Sequence, residues 1–261
     1  MNTTILDTHL HLYPCYDLSR AFNQFLDNTA QYGKQVSRVA CLAERHDCHY
    51  FDSIANHGIQ FDGFSIENVQ TNEIQLNRNR DNLNLNLLPG RQIISRENLE
   101  VLALGCPDPV NDGQPVLDVL YQIIQSGHVP VLPWSPGKWF GERGEMIKRL
   151  ISQLKAEDFL IGDTPLRPYG WPTPKLMKLA QEKGFSVVAG SDPLPFSGEE
   201  SWLGAYYSIV KSEEKYTAKE LLHALKTRQD GLQWQSAGKR SNIFSLFNRL
   251  RKNTASKKRL V

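Results

Sequence analysis

The hydrophobic positions along this chain change period many times, and those changes delimit its elements. Residues 5–12 alternate, which predicts a strand with Leu6, Leu10 and Leu12 on one face and Asp7, His9 and His11 on the other, stopped by Pro14. Leu18, Ala21, Phe22, Phe25, Leu26 and Ala30 then recur at helical spacing, with Asp17 placed to cap the helix and Gly33 to end it. Residues 36–43 predict a second strand, which runs into the ionisable cluster Glu44-Arg45-His46-Asp47-Cys48-His49 and a short helix closed by His57-Gly58. Between residues 59 and 104 the pattern changes. Short alternating runs at 61–67, 73–76, 91–95 and 99–104 predict strands and hairpins without intervening helices. The asparagine-rich residues 77–86 have the composition of a loop, with an extended piece at 83–88, and Pro89-Gly90 makes a turn.

Strand and helix alternation then returns. Pro115 suits a first helical turn, Val116, Leu117, Leu120, Ile123 and Ile124 supply an apolar stripe, and Gly127 terminates it. A strand at 129–133 leads into an aromatic-rich loop at 134–141, and Met146, Ile147, Leu150, Ile151 and Leu154 mark the next helix. The strand at 159–162 ends in Asp163 and the turn up to Pro168; a helix at 176–182 leads to the strand 185–189, which delivers Gly190-Ser191-Asp192. Thr217 and Glu220 form a capping box before Leu221, Leu222 and Leu225. Repeated strand-then-helix units predict a mainly parallel α/β sheet with helices outside it. His9 and His11, the cluster from Glu44 to His49, Lys138, Asp163 with Arg167, and Asp192 all follow strands closely. Barrel active sites gather at such strand ends, so the expected architecture is an α/β barrel. There is no Gly-x-Gly-x-x-Gly or P-loop sequence to indicate a nucleotide site.

Composition narrows the reading. A chain of 261 residues fits one domain. Its four cysteines contain no Cys-x-x-Cys pair, which argues against a disulfide framework or a thiolate zinc site and for a reducing compartment. With no leader-like start and no long apolar run, a cytoplasmic location is expected. From Ala237 onward there are eight basic residues and no acid, leaving 22 basic against 28 acidic groups before it, a balance of −6. The expected division is therefore a body, residues 1–236, and a basic tail, residues 237–261. Ile243, Phe244, Leu246, Phe247 and Leu250 can line a short amphipathic helix there, suited to an anionic surface, a partner protein or the acidic body itself. No nucleic-acid-reading module is recognisable.

The chemistry starts with the His9-x-His11 pair, which can hold a metal ion at a strand end; Asp192 adds a carboxylate if first and late strands are neighbours. Asp7-Thr8-His9-Leu10-His11 resembles the opening motif of the polymerase and histidinol phosphatase (PHP) domains. Residues 87–95 with 99–105 are similar to that family's Pro-Gly-x-Glu strand and its partner, and Gly190-Ser191-Asp192 is similar to its closing motif. The resemblance spans residues 4–210 and implies a distorted (β/α)7-type barrel, with phosphoesterase chemistry on one or two divalent ions, Zn, Mn or Fe. It also has departures. Gln92 stands where a bridging glutamate is expected, Pro193-Leu194 where the last histidine would be, and Pro133-Trp134 where another strand-end histidine falls. A full three-metal cluster is therefore not expected, and His46 or Glu44 would have to complete a second site. Asp7 and Asp163 are the carboxylates assigned to catalysis. Lys138 and Arg167 are assigned to anchoring a small substrate through an anionic group such as a phosphate, with Trp134, Trp139 and Trp171 as an apolar rim. The rival reading is a PHP-like barrel without catalysis, serving as a binding or scaffolding module. An amidohydrolase would need further strand-end histidines, which the middle of the chain lacks.

Overall fold

The computed structural model describes residues 1–259 apart from 57, 60 and 71, so the expected stop at His57 lies outside the described residues. Its strands are β1 (Asn2–Leu10), β2 (Ser37–Leu42), β3 (Phe64–Gln70), β4 (Glu73–Arg78), β5 (Leu83–Leu88), β6 (Gly90–Ile94), β7 (Glu100–Leu104), β8 (Val129–Pro133), β9 (Leu160–Asp163), β10 (Val187–Ala189), β11 (Tyr206–Ser212) and β12 (Gln233–Gly238). The helices are α1 (Leu18–Thr29), α2 (Tyr50–Ala55), α3 (Val116–Gln125), α4 (Gly141–Gln153), α5 (Lys175–Glu182), α6 (Ala218–Thr227) and α7 (Ile243–Arg259). Two sheets result, ordered β12-β11-β1-β2-β5-β4-β3 and β10-β9-β8-β7-β6. Both are mixed. β1 pairs parallel to β2 but antiparallel to β11, and β6, β7 and β8 are antiparallel in succession before β8, β9 and β10 run parallel.

The mixed topology departs from the mainly parallel sheet expected, because the stretch read as hairpins builds three antiparallel ladders, β3–β4, β4–β5 and β6–β7, and β11 pairs antiparallel with both β1 and β12. Residues 77–86 are also more ordered than their composition implies. They contain the β4–β5 turn, with Asn82 at φ 57°, and strand β5 pairs with both β4 and β2. Leu83, Leu85 and Leu87 are buried while Asn84 and Asn86 alternate with them toward solvent, a period-two pattern that the asparagines obscured.

Among the described residues no continuous ladder joins the sheets, but short bonds link them at both margins. At one, Glu44 donates its amide to Gly90 O at 3.0 Å and Gln92 donates to Glu44 O at 2.8 Å. At the other, the Asp192 amide reaches His9 O at 2.8 Å, and Thr8 Oγ1 donates to Ala189 O at 3.1 Å. Leu6, Val39, Cys41, Leu102, Val131, Leu160 and Val188 pack together between the sheets, and Leu221, Leu222 and Leu225 of α6 join them. On the outer surfaces α1 and α2 cover one sheet, and α3, α4 and α5 cover the other. Each fully buried Leu or Phe in these clusters contributes about 1.5–3 kcal/mol relative to exposure. The polar ends of β1 and β10 meet where two strands from different sheets converge, which is what the candidate site requires.

The basic tail is not free of the body. β12 pairs with β11 as far as Gly238, across the boundary expected at residue 236. Beyond it, Leu246 and Leu250 of α7 pack against Leu166, Leu194 and Phe196. No helix among the described residues is long and apolar enough to cross a membrane.

Candidate metal centre

The site begins with an irregularity in β1. Asp7 pairs with Ala40 and Leu10 with Leu42, so three steps along β1 oppose two along β2, which is the geometry of a β-bulge. The bulge reverses the side-chain alternation. Leu6 packs between the sheets, whereas Leu10 and Leu12 pack outside with Phe22 and Phe25 of α1. The face expected to carry Leu6, Leu10 and Leu12 together is therefore divided, and so is the face expected to carry Asp7, His9 and His11. Asp7 Oδ1 accepts from the amides of His9 (3.1 Å) and Ser191 (2.9 Å), tying the bulge to the end of β10. Burial pushes the Asp7 carboxyl up to about 6 against the opposing pull of these bonds. Asp7, assigned above to catalysis, is thus engaged in holding backbone.

Past the bulge, His9 and His11 turn toward Asp192. Their Nε2 atoms are 3.0 Å apart, and Asp192 Oδ1 lies 3.7 Å from the first and 3.9 Å from the second. Ligand atoms bound about 2.0–2.1 Å from a common ion stand about 3.0–3.4 Å apart, so small side-chain movements complete such a triangle. All three residues are buried, at 3%, 4% and 9% exposure. Burial drives His9 down to about 4 and His11 down to about 3, so both are neutral imidazoles near pH 7, the form that ligates metal. Burial also raises Asp192 to about 6, opposed by His11. The Asp192 carboxylate receives no hydrogen bond among the described residues, although it is nearly enclosed. A His, His, Asp donor set with an unsatisfied carboxylate fits a divalent ion such as Zn, Mn or Fe.

Two backbone features hold Asp192 there. It sits at φ 41°, a left-handed conformation uncommon for a side-chain-bearing residue. A Cβ on Gly190 would lie 2.5 Å from both the Cβ and the amide nitrogen of His9, so only glycine permits this approach.

Glu100 and Lys138 complete the surroundings. Their side chains form an ion pair, Gln92 Nε2 donates to Glu100 Oε1 at 3.3 Å, and the Glu100 charge acts on His9, His11 and Asp192. Although burial would raise Glu100, the Lys138 ammonium outweighs it and leaves the carboxyl below its ordinary range. Sequence reasoning missed Glu100. Its signal was an acidic residue starting the apolar run Leu99 to Leu104, diagonal across the β6–β7 ladder from Gln92. Tyr13 lies against His11 at 5.4 Å between rings and against Tyr16, whose hydroxyl donates to Leu194 O at 2.6 Å.

The other expected site residues lie elsewhere. Glu44 accepts from the Phe51 amide at 2.9 Å and pairs with Arg91 at 3.1 Å; burial raises it despite both contacts. His46 projects outward with its side chain 76% exposed and faces Asp112 at 3.8 Å. Neither joins the His9, His11 and Asp192 group. Along β9, Leu160 faces the interior and Ile161 the outer helices, so alternation sends Asp163 outward with Ile161. There it accepts from Arg167 Nε at 2.9 Å, Tyr206 Oη at 2.8 Å and Arg240 Nη2 at 2.7 Å. Arg167 therefore does not converge with Lys138. Trp134 and Trp139 are buried in the core under α3 and α4, with Trp139 Nε1 donating to Pro133 O at 3.1 Å, so they form no rim; Trp171 is exposed. An aromatic in a loop served packing in two of these three cases, the commoner use of so large an apolar surface.

Two mixed sheets joined at both margins, with a buried His-x-His and Asp group at their meeting ends, define a PHP-like fold carrying a potential metal site. No protein-family model matches the chain, and no curated protein matches it. Among solved structures, PsfC from Pseudomonas syringae PB-5123 is similar over 100% of both chains, with a TM-score of 0.56 and 14% identity. The lesion-specific endonuclease PfuEndoQ from Pyrococcus furiosus, a PHP-fold enzyme, is similar over 90% of this chain and 59% of its own, with a TM-score of 0.56 and 10% identity. At these identities the likeness establishes fold alone.

Proposed function

We propose that the chain is a metal-dependent hydrolase of the PHP type, in which His9, His11 and Asp192 hold a single divalent cation and the substrate is an anionic ester, a phosphoester first of all. In this reading β1, β2 and β6 to β10 make up the seven strands of a distorted barrel, an arrangement supported by the bonds at Glu44–Gly90 and His9–Asp192. The observation that carries the proposal is the buried triangle of two neutral imidazoles and an unpartnered carboxylate. A cation bound there would polarise the bond under attack and make water a nucleophile near neutral pH. The protein's own contribution is to hold these donors through the Asp7 clamp and the Gly190 approach, and to place the Lys138 ammonium beside them. One-third exposed and anchored by Glu100, Lys138 can meet the negative charge of a substrate. It also disfavours a second cation, because a fixed positive charge already neutralises Glu100, while Glu44 is committed to Arg91.

The substrate class includes nucleic-acid phosphodiesters, given the fold shared with an endonuclease. A second reading, a binding module without turnover, is favoured by one observation: the three donors are almost closed to solvent beneath Tyr13 and Tyr16. Elemental analysis of untagged protein, followed by assays on chromogenic phosphomonoesters and phosphodiesters and on DNA oligonucleotides, separates the two. About one equivalent of metal with hydrolysis that disappears in His11→Ala supports the enzyme. Metal-free protein whose melting is indifferent to Zn, Mn and Fe overturns it.

A further inference from the structure

On the outer surface, between β12, the start of β10 and α5, lies a groove of about 400 Å³ whose lining includes Arg167, Arg228 and Arg240 with Asp163. Its charges do not cancel. Three guanidinium groups face one carboxylate, and that carboxylate is 2% exposed and already accepts from two of them and from Tyr206. By contrast, a wider groove of about 950 Å³ beside α4 sets Arg96, Arg143 and Arg149 against Glu97, Glu142 and Glu145, so its charges balance.

The arginines are also held in place. Arg167 is fixed to both oxygens of Asp163 and to Trp171 O at 3.2 Å. Arg240 lies over the Tyr206 ring at 4.9 Å, with Nε on the Tyr206 hydroxyl at 3.0 Å; its Nη1 has no hydrogen-bond partner among the described residues. Arg228 stacks near Trp234 at 5.7 Å and donates from Nη1 to Gly184 O at 3.0 Å, leaving Nε and Nη2 without partners among the described residues. Thr173, Gln181, Gln235 and Ser236 add short polar groups to the same walls. Preorganised guanidinium forks with spare N–H groups, next to hydroxyls and amides, match the oxygens of a phosphate group. Arg167 and Arg240 are already positioned, so the ordering cost of binding falls mainly on the exposed Arg228, which Gly184 O and the Trp234 ring hold only in part.

We infer that this groove is a binding site for a phosphate group, free or carried on a small molecule, separate from the His9 site on the opposite side of β9. The inference does not rest on the hydrolase reading, since none of the groove's residues belongs to the candidate metal centre. Isothermal titration of the full chain in chelator, with inorganic phosphate and with glycerol 3-phosphate as probes, tests it. Binding is expected to weaken about tenfold in Arg228→Gln, the loss of one charge-assisted interaction, and to persist in His9→Ala. Arg228 takes no part in holding Asp163, and matching melting temperatures for Arg228→Gln and the wild type guard against misfolding. A tighter phosphomonoester assigns the groove to an esterified phosphate, and equal affinities assign it to the free ion; both support the site. No heat with either probe, equal affinity in Arg228→Gln, or binding abolished by His9→Ala overturns it.

Discussion

Replacing Arg249 with methionine tests how α7 is held and what that docking does for the site. Arg249 Nε lies 2.9 Å from Glu199 Oε1, Nη2 lies 2.6 Å from Oε2, and Nη1 donates to Ser241 Oγ at 2.9 Å. The two charged side chains are 5% and 3% exposed, and the guanidinium sits 4.1 Å above the Trp202 ring. Without Arg249, the buried Glu199 carboxylate keeps only the Leu194 amide at 3.1 Å. Removing one partner of such a pair costs about 3–5 kcal/mol, because the remaining charge is left desolvated. In a chain of this size that corresponds to a melting temperature lower by on the order of 6–15 °C. If α7 instead detaches, the loss is capped at the docking free energy and appears as rapid proteolysis beyond residue 240. Calorimetry together with limited proteolysis reads both outcomes, and Glu199→Gln with Arg249→Met should recover more than half the loss. Glu199 also fixes Leu194, two residues past Asp192, so metal affinity should fall in the single variant as well. An unchanged melting curve with an unchanged cleavage pattern would refute the account, as would additive effects in the double variant.

His9→Ala or Asp192→Ala should leave no stoichiometric metal, whereas Glu44→Gln and His46→Ala should retain about one equivalent, by elemental analysis; retention in the first pair would break the assignment. Gly190→Ala forces the His9 backbone away from a Cβ that would sit at 2.5 Å, so it should cost about 1–3 kcal/mol in urea unfolding and abolish metal uptake. Metal uptake should also follow pH in a particular way. The ion binds ionised Asp192, which takes a proton near pH 6, while His9 and His11 stay neutral down to about 4 and 3. Affinity should therefore be flat above pH 6 and fall about tenfold per unit below it, steepening below 4; a decline beginning well above 6 would mean that the histidines are not depressed.

Element existence was largely legible where a segment's periodicity matched its environment, as in α1, α3 and the strands β2, β8 and β9. The mixed topology was not, because pairing direction depends on which strands meet; β11, although rich in aromatic and β-branched residues, is not among the strands expected from the sequence, and the polar β12 carries little strand signal. The His9, His11 and Asp192 group was legible from residue type and strand-end position. Its exact composition was not: the bulge at residues 7–10 reverses alternation without any proline or glycine to announce it, so Asp7 looked like a companion of the histidines. Asp163 and Arg167 misled for a simpler reason. A strand-end position fixes where along the sheet a side chain lies, while the parity of β9 decides which face it takes.

How the buried acids are neutralised gives the site its meaning. Glu44 has Arg91 within 3.1 Å, Asp163 has Arg167 and Arg240, Glu199 has Arg249, and Glu200 has Arg20 at 3.5 Å. Glu100, whose charge acts on both histidines, has Lys138. Asp7 has no cation but accepts two backbone amides on one oxygen, and burial raises it toward the neutral form. Asp192 differs from all of them among the described residues: its carboxylate meets no guanidinium, ammonium or amide at hydrogen-bond distance, only two ring nitrogens that burial keeps uncharged. A nearly enclosed carboxylate that receives no hydrogen bond and is offset only by the Lys138 and Arg249 charges at a distance is costly for a fold to keep. Here it is kept beside two neutral donors, on a residue in a left-handed conformation, against a glycine that admits no side chain. A cation from outside the chain would offset the cost of that carboxylate. Basic residues neutralise Glu44, Glu100, Asp163, Glu199 and Glu200, and of the two acids left without one, Asp7 and Asp192, only Asp192 stands beside two neutral ring nitrogens, which is the argument for metal.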